Sequence, residues 1–157
     1  MKNNICFICA RLGSKGIPDK NIKLMNGAPL ISYTIKQAID SKIFSLIAVS
    51  SDSEKILKVA KAYGANLLIK RPKKLSNNLV GKIDVIKHAL KKVEKITNNK
   101  YAFITDLDVT APLRIKKDIC ESFAYFLKKD FDNLITVCPA RKNPYFNMVE
   151  VKNKKLK

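Results

Sequence analysis

A chain of 157 residues, 46% hydrophobic and 28% charged, has the length and apolar content for one globular domain and falls short of two ordinary ones. At this size roughly 68–70% of the unfolded surface can be buried, so a core needs neither disulfides nor a structural metal. A disordered chain is excluded, no apolar run approaches the ~20 residues that span a bilayer, and a formal charge of +18 directs attention to acidic partners.

Met1-Lys2-Asn3-Asn4 leads directly into Ile5–Ala10, a continuous apolar run expected as a buried strand; with no signal peptide ahead of it, the cytoplasm is the expected location. Arg11-Leu12-Gly13-Ser14-Lys15-Gly16 follows, and Pro29 then opens a helix with Ile31, Ile35, Ala38 and Ile39 on one face. Ser45–Ser51 is a second strand. Ser51 with Glu54 reads as a capping box leading into a helix with Ile56, Val59, Ala60 and Tyr63 on one face, and Gly64 as its C-terminal cap. Leu67–Ile69 is a third strand, ended by Arg71-Pro72. Ile83, Ile86, Leu90 and Val93 mark a third helix, Tyr101–Leu107 a fourth strand, and Ile119, Phe123, Phe126 and Leu127 a fourth helix. Asn133–Cys138 is expected as a fifth strand and Phe146–Val151 as a sixth, before a frayed polar tail at 152–157.

Strand and helix alternate with short connections, which predicts an α/β fold: an open, mostly parallel twisted sheet with helices on both faces, in a single domain over 1–157. In such sheets ligands bind beyond the carboxyl ends of the strands. The loops at 11–21, 71–82, 106–114 and 139–145 are therefore expected along one edge.

The charge resides mostly in 27 lysines spread over every segment, the pattern of a solvated surface more than of a nucleic-acid interface. The local run Lys70-Arg71-Pro72-Lys73-Lys74 suits a loop beside a phosphate site as well as it suits nucleic acid. The four arginines, Arg11, Arg71, Arg114 and Arg141, all follow strand-like runs, where sites form. Cys6 and Cys9 have the spacing of a redox or zinc pair, but in a strand residues three apart point to opposite faces. They, Cys120 and Cys138 are expected as free, buried thiols. His88 falls beside the apolar stripe of its helix and is expected to be solvated or half-buried, and non-catalytic.

Two segments carry chemistry. The loop at 10–21 is neither a dinucleotide fingerprint nor a Walker loop, yet it holds the parts of an anion site. Gly13 and Gly16 permit close backbone approach, Arg11, Lys15 and Lys20 bring charge, and Ser14 and Asn21 bring neutral donors. The second is Thr105-Asp106-Leu107-Asp108-Val109-Thr110-Ala111-Pro112-Leu113-Arg114. Acids two apart at a strand end face one side and repel unless a cation joins them, and hard oxygen donors suit Mg²⁺ together with substrate phosphates.

These motifs, with the PLISYTI, VSSDSEKI, YGA and KRP segments and the stretch from Asn133 to Phe146, resemble the acylneuraminate cytidylyltransferases, or CMP-sugar synthetases, over essentially the whole chain. The acidic DLD form with Asn143-Pro144-Tyr145-Phe146 is most similar to the bacterial enzymes that activate legionaminic acid. The resemblance implies a nucleotide-diphospho-sugar transferase fold, Rossmann-like. It also implies a cytoplasmic reaction in which CTP and a nonulosonic, sialic-acid-like sugar acid give CMP-sugar and pyrophosphate with Mg²⁺, for cell-surface glycans or flagellin. Neither a membrane nor a nucleic acid is an expected partner.

By the same resemblance Arg11 and Lys20 are the catalytic, triphosphate-binding cations. Ala10, Gly13, Ser14, Lys15, Asn21, Arg71 and Ser76 join them in holding the nucleotide. Asp106 and Asp108 are the expected metal ligands; Asp108 also stands where relatives hold substrate, with Lys82 and Arg141 as further candidates for sugar carboxylate or phosphates. Relatives of this kind continue past residue 157 with further metal-binding acids and a dimerisation element. The chain is thus expected to be a C-terminally truncated homodimer-family member, the alternatives being an impaired nucleotide-binding remnant or a KDO-type cytidylyltransferase.

Overall fold

The computed structural model describes residues 3–14, 16–77, 79–129, 131–137 and 139, and the backbone of 151–152 and 155–156. The chain divides into two compact units, Met1–Ala124 and Tyr125–Lys157. In the first, strand β1 (Asn4–Cys9) is followed by a short hairpin of β2 (Leu24–Met25) and β3 (Ala28–Pro29), then helix α1 (Leu30–Ser41). Strand β4 (Leu46–Ser51), helix α2 (Glu54–Ala62), strand β5 (Leu67–Lys70), helix α3 (Lys82–Thr97), strand β6 (Phe103–Asp106) and helix α4 (Lys116–Lys128) complete the alternation.

The main sheet has the order β5-β4-β1-β6, and every pair in it is parallel. Phe7 of β1 lies opposite Ala48 of β4 and Asp106 of β6. Because β1 is covered on both faces, its apolar run is continuous rather than alternating. Cys6 and Ile8 pack with Ile31 and Ile35 of α1 and Ile56 and Ala60 of α2. Ile5 and Phe7 pack on the opposite face with Ile69 of β5 and Ala89 and Val93 of α3. Helices thus cover both faces, as the alternation predicts. Cys6 belongs to the first cluster and Cys9 packs against the second, so the two thiols do not meet, and both are free. Among the described residues no helix is long and apolar enough to cross a membrane.

Several local expectations need correction. The cap of α2 is Ser53, whose side chain accepts from the Ile56 N–H; Ser51 still belongs to β4, and its hydroxyl oxygen accepts from the Ser53 N–H. Gly64 does follow α2 in the left-handed region at φ 95°, where a side chain would be strained. On α3 the buried stripe is Val85, Ala89 and Val93, while Ile83 in the first turn is 62% exposed. The small Ala89 shares a core cluster with the small Ala48 of β4. Asn26 (φ 46°) and Gly27 (φ 78°) form the β2–β3 turn, an element absent from the period reading.

In the second unit the rings of Tyr125 and Phe131 lie 5.9 Å apart. Asn133–Val137, expected as most of a fifth strand, lies in no strand: Ile135 and Val137 are 76% and 85% exposed, and no ladder partner pairs with them among the described residues. An apolar run becomes a strand only where a neighbour takes its hydrogen bonds. Cys138 and the segment 146–150 lie outside the described residues. The expected frayed tail instead contains a two-rung antiparallel ladder, β7 (Val151–Lys152) with β8 (Lys155–Leu156).

Candidate active site

Four parallel strands end along one edge, where the end of β1 and the loops after β1 and β6 line a cleft of about 220 Å³. Cys9 stands at the end of β1, Arg11, Ser14, Lys20 and Asn21 come from the loop after it, and Asp108 comes from the loop after β6. This is the position open α/β sheets reserve for ligands.

The first loop is pinned from beneath. The Ala10 N–H continues the ladder to the Ser50 carbonyl at 3.0 Å. The buried Asn21 amide donates to the Arg11 carbonyl at 2.8 Å, and the Leu12 N–H donates to Asp52 Oδ1 at 3.0 Å. Asn21, expected to touch the nucleotide, therefore spends a donor on the loop itself. Arg11 reaches across to the Asn77 carbonyl at 3.1 Å. The Lys20 ammonium has no hydrogen-bond or ion-pair partner among the described residues, although it lines the cleft. Gly13 and Gly16 do not have positive φ, and a Cβ on either would meet nothing within 4 Å. The backbone there faces open space from which a ligand can approach. Lys15 and Arg141 lie outside the described residues.

The acids are placed by strand alternation. Leu107 and Val109 are buried in the core, which turns Asp106 and Asp108 to the other side. There both carboxylates meet the ammonium of Lys82, the first residue of α3; the Asp108 Oδ1 contact is 2.5 Å. Asp106 Oδ1 is buried and has no hydrogen-bond partner among the described residues. Burial raises the Asp106 pKa, opposed by Lys82 and reinforced by Asp108. For Lys82 burial acts downward, but the two carboxylates outweigh it and the pKa is raised. The pair is thus lopsided: the ammonium gains from the arrangement, while the Asp106 carboxylate is not fully compensated.

The loop carrying Asp108 is held by Arg114, one of the four arginines noted after strand-like runs, and by two residues that sequence reasoning did not single out, Thr34 and Gln37. The Asp108 carbonyl accepts from Thr34 Oγ1 at 3.3 Å and from Arg114 Nη2 at 2.8 Å. Gln37 bonds Arg114 Nη1 through Oε1 at 3.3 Å and donates to the Pro112 carbonyl at 2.8 Å. Thr34 and Gln37 sit three apart on α1, one turn of helix facing the loop. Arg71 is 5% exposed, with its guanidinium on the Ser50 hydroxyl and carbonyl at 3.3 and 2.7 Å; burial lowers its pKa. Ser76 donates to the Pro72 carbonyl at 3.3 Å. Both therefore brace the strand ends and the following turn, and neither lines the cleft.

A divalent ion can be tested against these donors. Among the described residues no cluster of three or more His, Cys, Asp or Glu side chains forms. The orphaned Asp106 oxygen beside the Asp108 carboxylate is nevertheless a hard-oxygen pair of the kind that completes an Mg²⁺ shell with phosphate oxygens and water. The residues fit such an ion.

The Cys9 thiol, although in the cleft, is no nucleophile. Burial, then the Asp106 charge, push its pKa up to about 11. Its labelling by iodoacetamide at pH 7.5 is expected to be roughly 10²-fold slower than that of a free cysteine, because only thiolate reacts. Peptide-resolved mass spectrometry checks this; labelling at the free-thiol rate would contradict it.

Residues 5–155 match the cytidylyltransferase family. The chain belongs to that family. It is 44% identical over 156 residues to post-translational flagellin modification protein B of Campylobacter coli, covering 99% of this chain and 66% of that protein. The same identity and coverage hold for the CMP-N,N'-diacetyllegionaminic acid synthase of Campylobacter jejuni. The chain therefore spans just under two thirds of the length of these curated relatives. In fold it is similar to CMP:2-keto-3-deoxy-manno-octonic acid synthetase complexed with CTP, with a TM-score of 0.65 and 18% identity over 81% of this chain and 48% of that one.

Proposed function

We propose that this cytidylyltransferase chain forms the CTP-binding part of an enzyme that transfers CMP from CTP to a nonulosonic sugar acid. The observation that carries the reading is a cleft at the strand ends lined both by Lys20, whose ammonium has no partner among the described residues, and by Asp108 of the acid pair. In the reaction the sugar's anomeric hydroxyl attacks the α-phosphorus, the bond from that phosphorus to the β-phosphate oxygen breaks, pyrophosphate leaves and the hydroxyl proton passes to solvent. Such transfer is mostly positioning and charge neutralisation. Lys20 and Arg11 hold the triphosphate, the backbone at Gly13–Ser14 lies against it, and Asn21 keeps Arg11 in place. Asp106 and Asp108 would hold Mg²⁺, which supplies further neutralisation of phosphate charge when bound. Legionaminic acid is the favoured acceptor, since a relative named for that product is 44% identical.

Calorimetric titration of the chain with CTP in Mg²⁺ should show saturable binding that CMP displaces and that ATP does not reproduce. Absence of CTP binding, or equal affinity for ATP, would overturn the reading. Pyrophosphate release with a panel of nonulosonic acids then identifies the acceptor.

A further inference from the structure

Lys82 has two features that conflict. It is the first residue of α3, behind a Gly81 N-cap that provides no side-chain bond, so its positive charge sits at the helix end where cations are least favoured. Yet its ammonium is in contact with Asp106 and Asp108 at once. The lysine stays because the acids hold it. It also stands where a divalent ion would have to bind: it takes Asp106 Oδ2 and Asp108 Oδ1, leaving Asp106 Oδ1 buried and unpartnered.

Two carboxylates and one ammonium leave the cluster with a single negative charge. A divalent ion added beside the lysine would make the cluster positive, next to the cations of the first loop. An ion that replaces the lysine makes it neutral. The side chain of Lys82 is 41% exposed, so it can swing out without opening the core. A triphosphate in the adjoining cleft, which Asp108 also lines, offers the departing ammonium new oxygen partners.

We propose that Lys82 is the resident counter-cation of the Asp106–Asp108 pair, displaced when a divalent ion enters, so that metal and nucleotide bind with positive coupling. The inference rests on reading the acid pair as the metal site. It assigns the lysine to the carboxylates in the empty cleft and to the phosphates in the loaded one. Metal alone meets a competing charge; metal arriving with nucleotide does not. By linkage, nucleotide then favours metal as much as metal favours nucleotide.

The test titrates Mn²⁺ into the purified chain without nucleotide, with free ion read by electron paramagnetic resonance. Lys82→Met keeps the length of the side chain and removes its charge, and should bind Mn²⁺ about tenfold more tightly than the unaltered chain, or better. Lys82→Met combined with Asp108→Asn should lose that gain. Should Lys82→Met fail to fold by circular dichroism, Lys82→Gln carries the same expectation. Equal Mn²⁺ affinity in the variant and the unaltered chain, or no Mn²⁺ bound by the variant, would overturn the proposal. In a second arm, Mg²⁺ should enhance CTP affinity more in the unaltered chain than in Lys82→Met, and equal enhancement counts against it. If CTP binds neither protein the nucleotide reading falls, while the nucleotide-free Mn²⁺ comparison still decides the role of Lys82.

Discussion

Lys20→Ala is expected to weaken CTP binding by about 10- to 100-fold while leaving the melting temperature unchanged. A charge-assisted hydrogen bond contributes about 1.5–3 kcal/mol, which sets that range. The fold should not notice, because the Lys20 ammonium bonds nothing else among the described residues and only its backbone takes part in the turn, its N–H donating to the Ile17 carbonyl and its carbonyl accepting from the Lys23 N–H. Arg11 makes the instructive contrast. Its guanidinium ties the first loop to the Asn77 carbonyl, so Arg11→Ala removes the proposed triphosphate contact and a loop brace together. Calorimetry beside thermal melting separates the two: Lys20→Ala should lose affinity alone, and Arg11→Ala affinity with some loop order. The Lys20 loss should also shrink at high salt, as the charge that is missing would then be screened in the parent. Unchanged CTP affinity in Lys20→Ala would remove the first loop from the site.

Much of the fold that places this cleft was legible in the sequence. The period of the apolar residues located all four strands of the sheet and the helices between them. Parallel connection then forces the strand ends, and with them the loops after β1 and β6, to one edge. What stayed hidden depends on strand order. That Lys82 at the start of α3 meets acids at the end of β6 follows from β6 lying beside β1 and α3 covering one face, which no local spacing encodes. Arg71 was readable as a cation after a strand, but its guanidinium turns back onto Ser50, a choice made by tertiary burial. The cap of α2 was ambiguous because Ser51 and Ser53 both suit it, and only the length of β4 decides. The hairpin at Asn26-Gly27 did carry a local signal, the dipeptide that favours positive φ at both turn positions.

Asp106→Asn should do two opposite things: stabilise the fold at neutral pH and abolish Mg²⁺ enhancement of CTP binding. The direction of the first effect follows from the pKa. Burial raises the Asp106 pKa from its ordinary value, despite Lys82, so the folded chain binds that proton more tightly than the unfolded chain does. Such a group favours the folded state below its unfolded pKa, and that contribution is lost as pH rises through the folded pKa. The ionised carboxylate therefore carries a net cost that grows as pH rises, with Oδ1 buried and without a partner among the described residues. An amide carries no charge to desolvate, and Lys82 keeps Asp108. Thermal melts from pH 4 to 7.5 should show the variant melting above the parent at neutral pH, with the gap narrowing as the solution is acidified. The second effect follows from the same oxygen, since an amide is a poor Mg²⁺ ligand and the hard-oxygen pair is broken. A variant that melts below the parent at pH 7 would mean that its contact with Lys82 outweighs burial. A stabilised variant that has lost Mg²⁺ coupling would show that this acid is kept at the strand end for its charge, at a cost to stability.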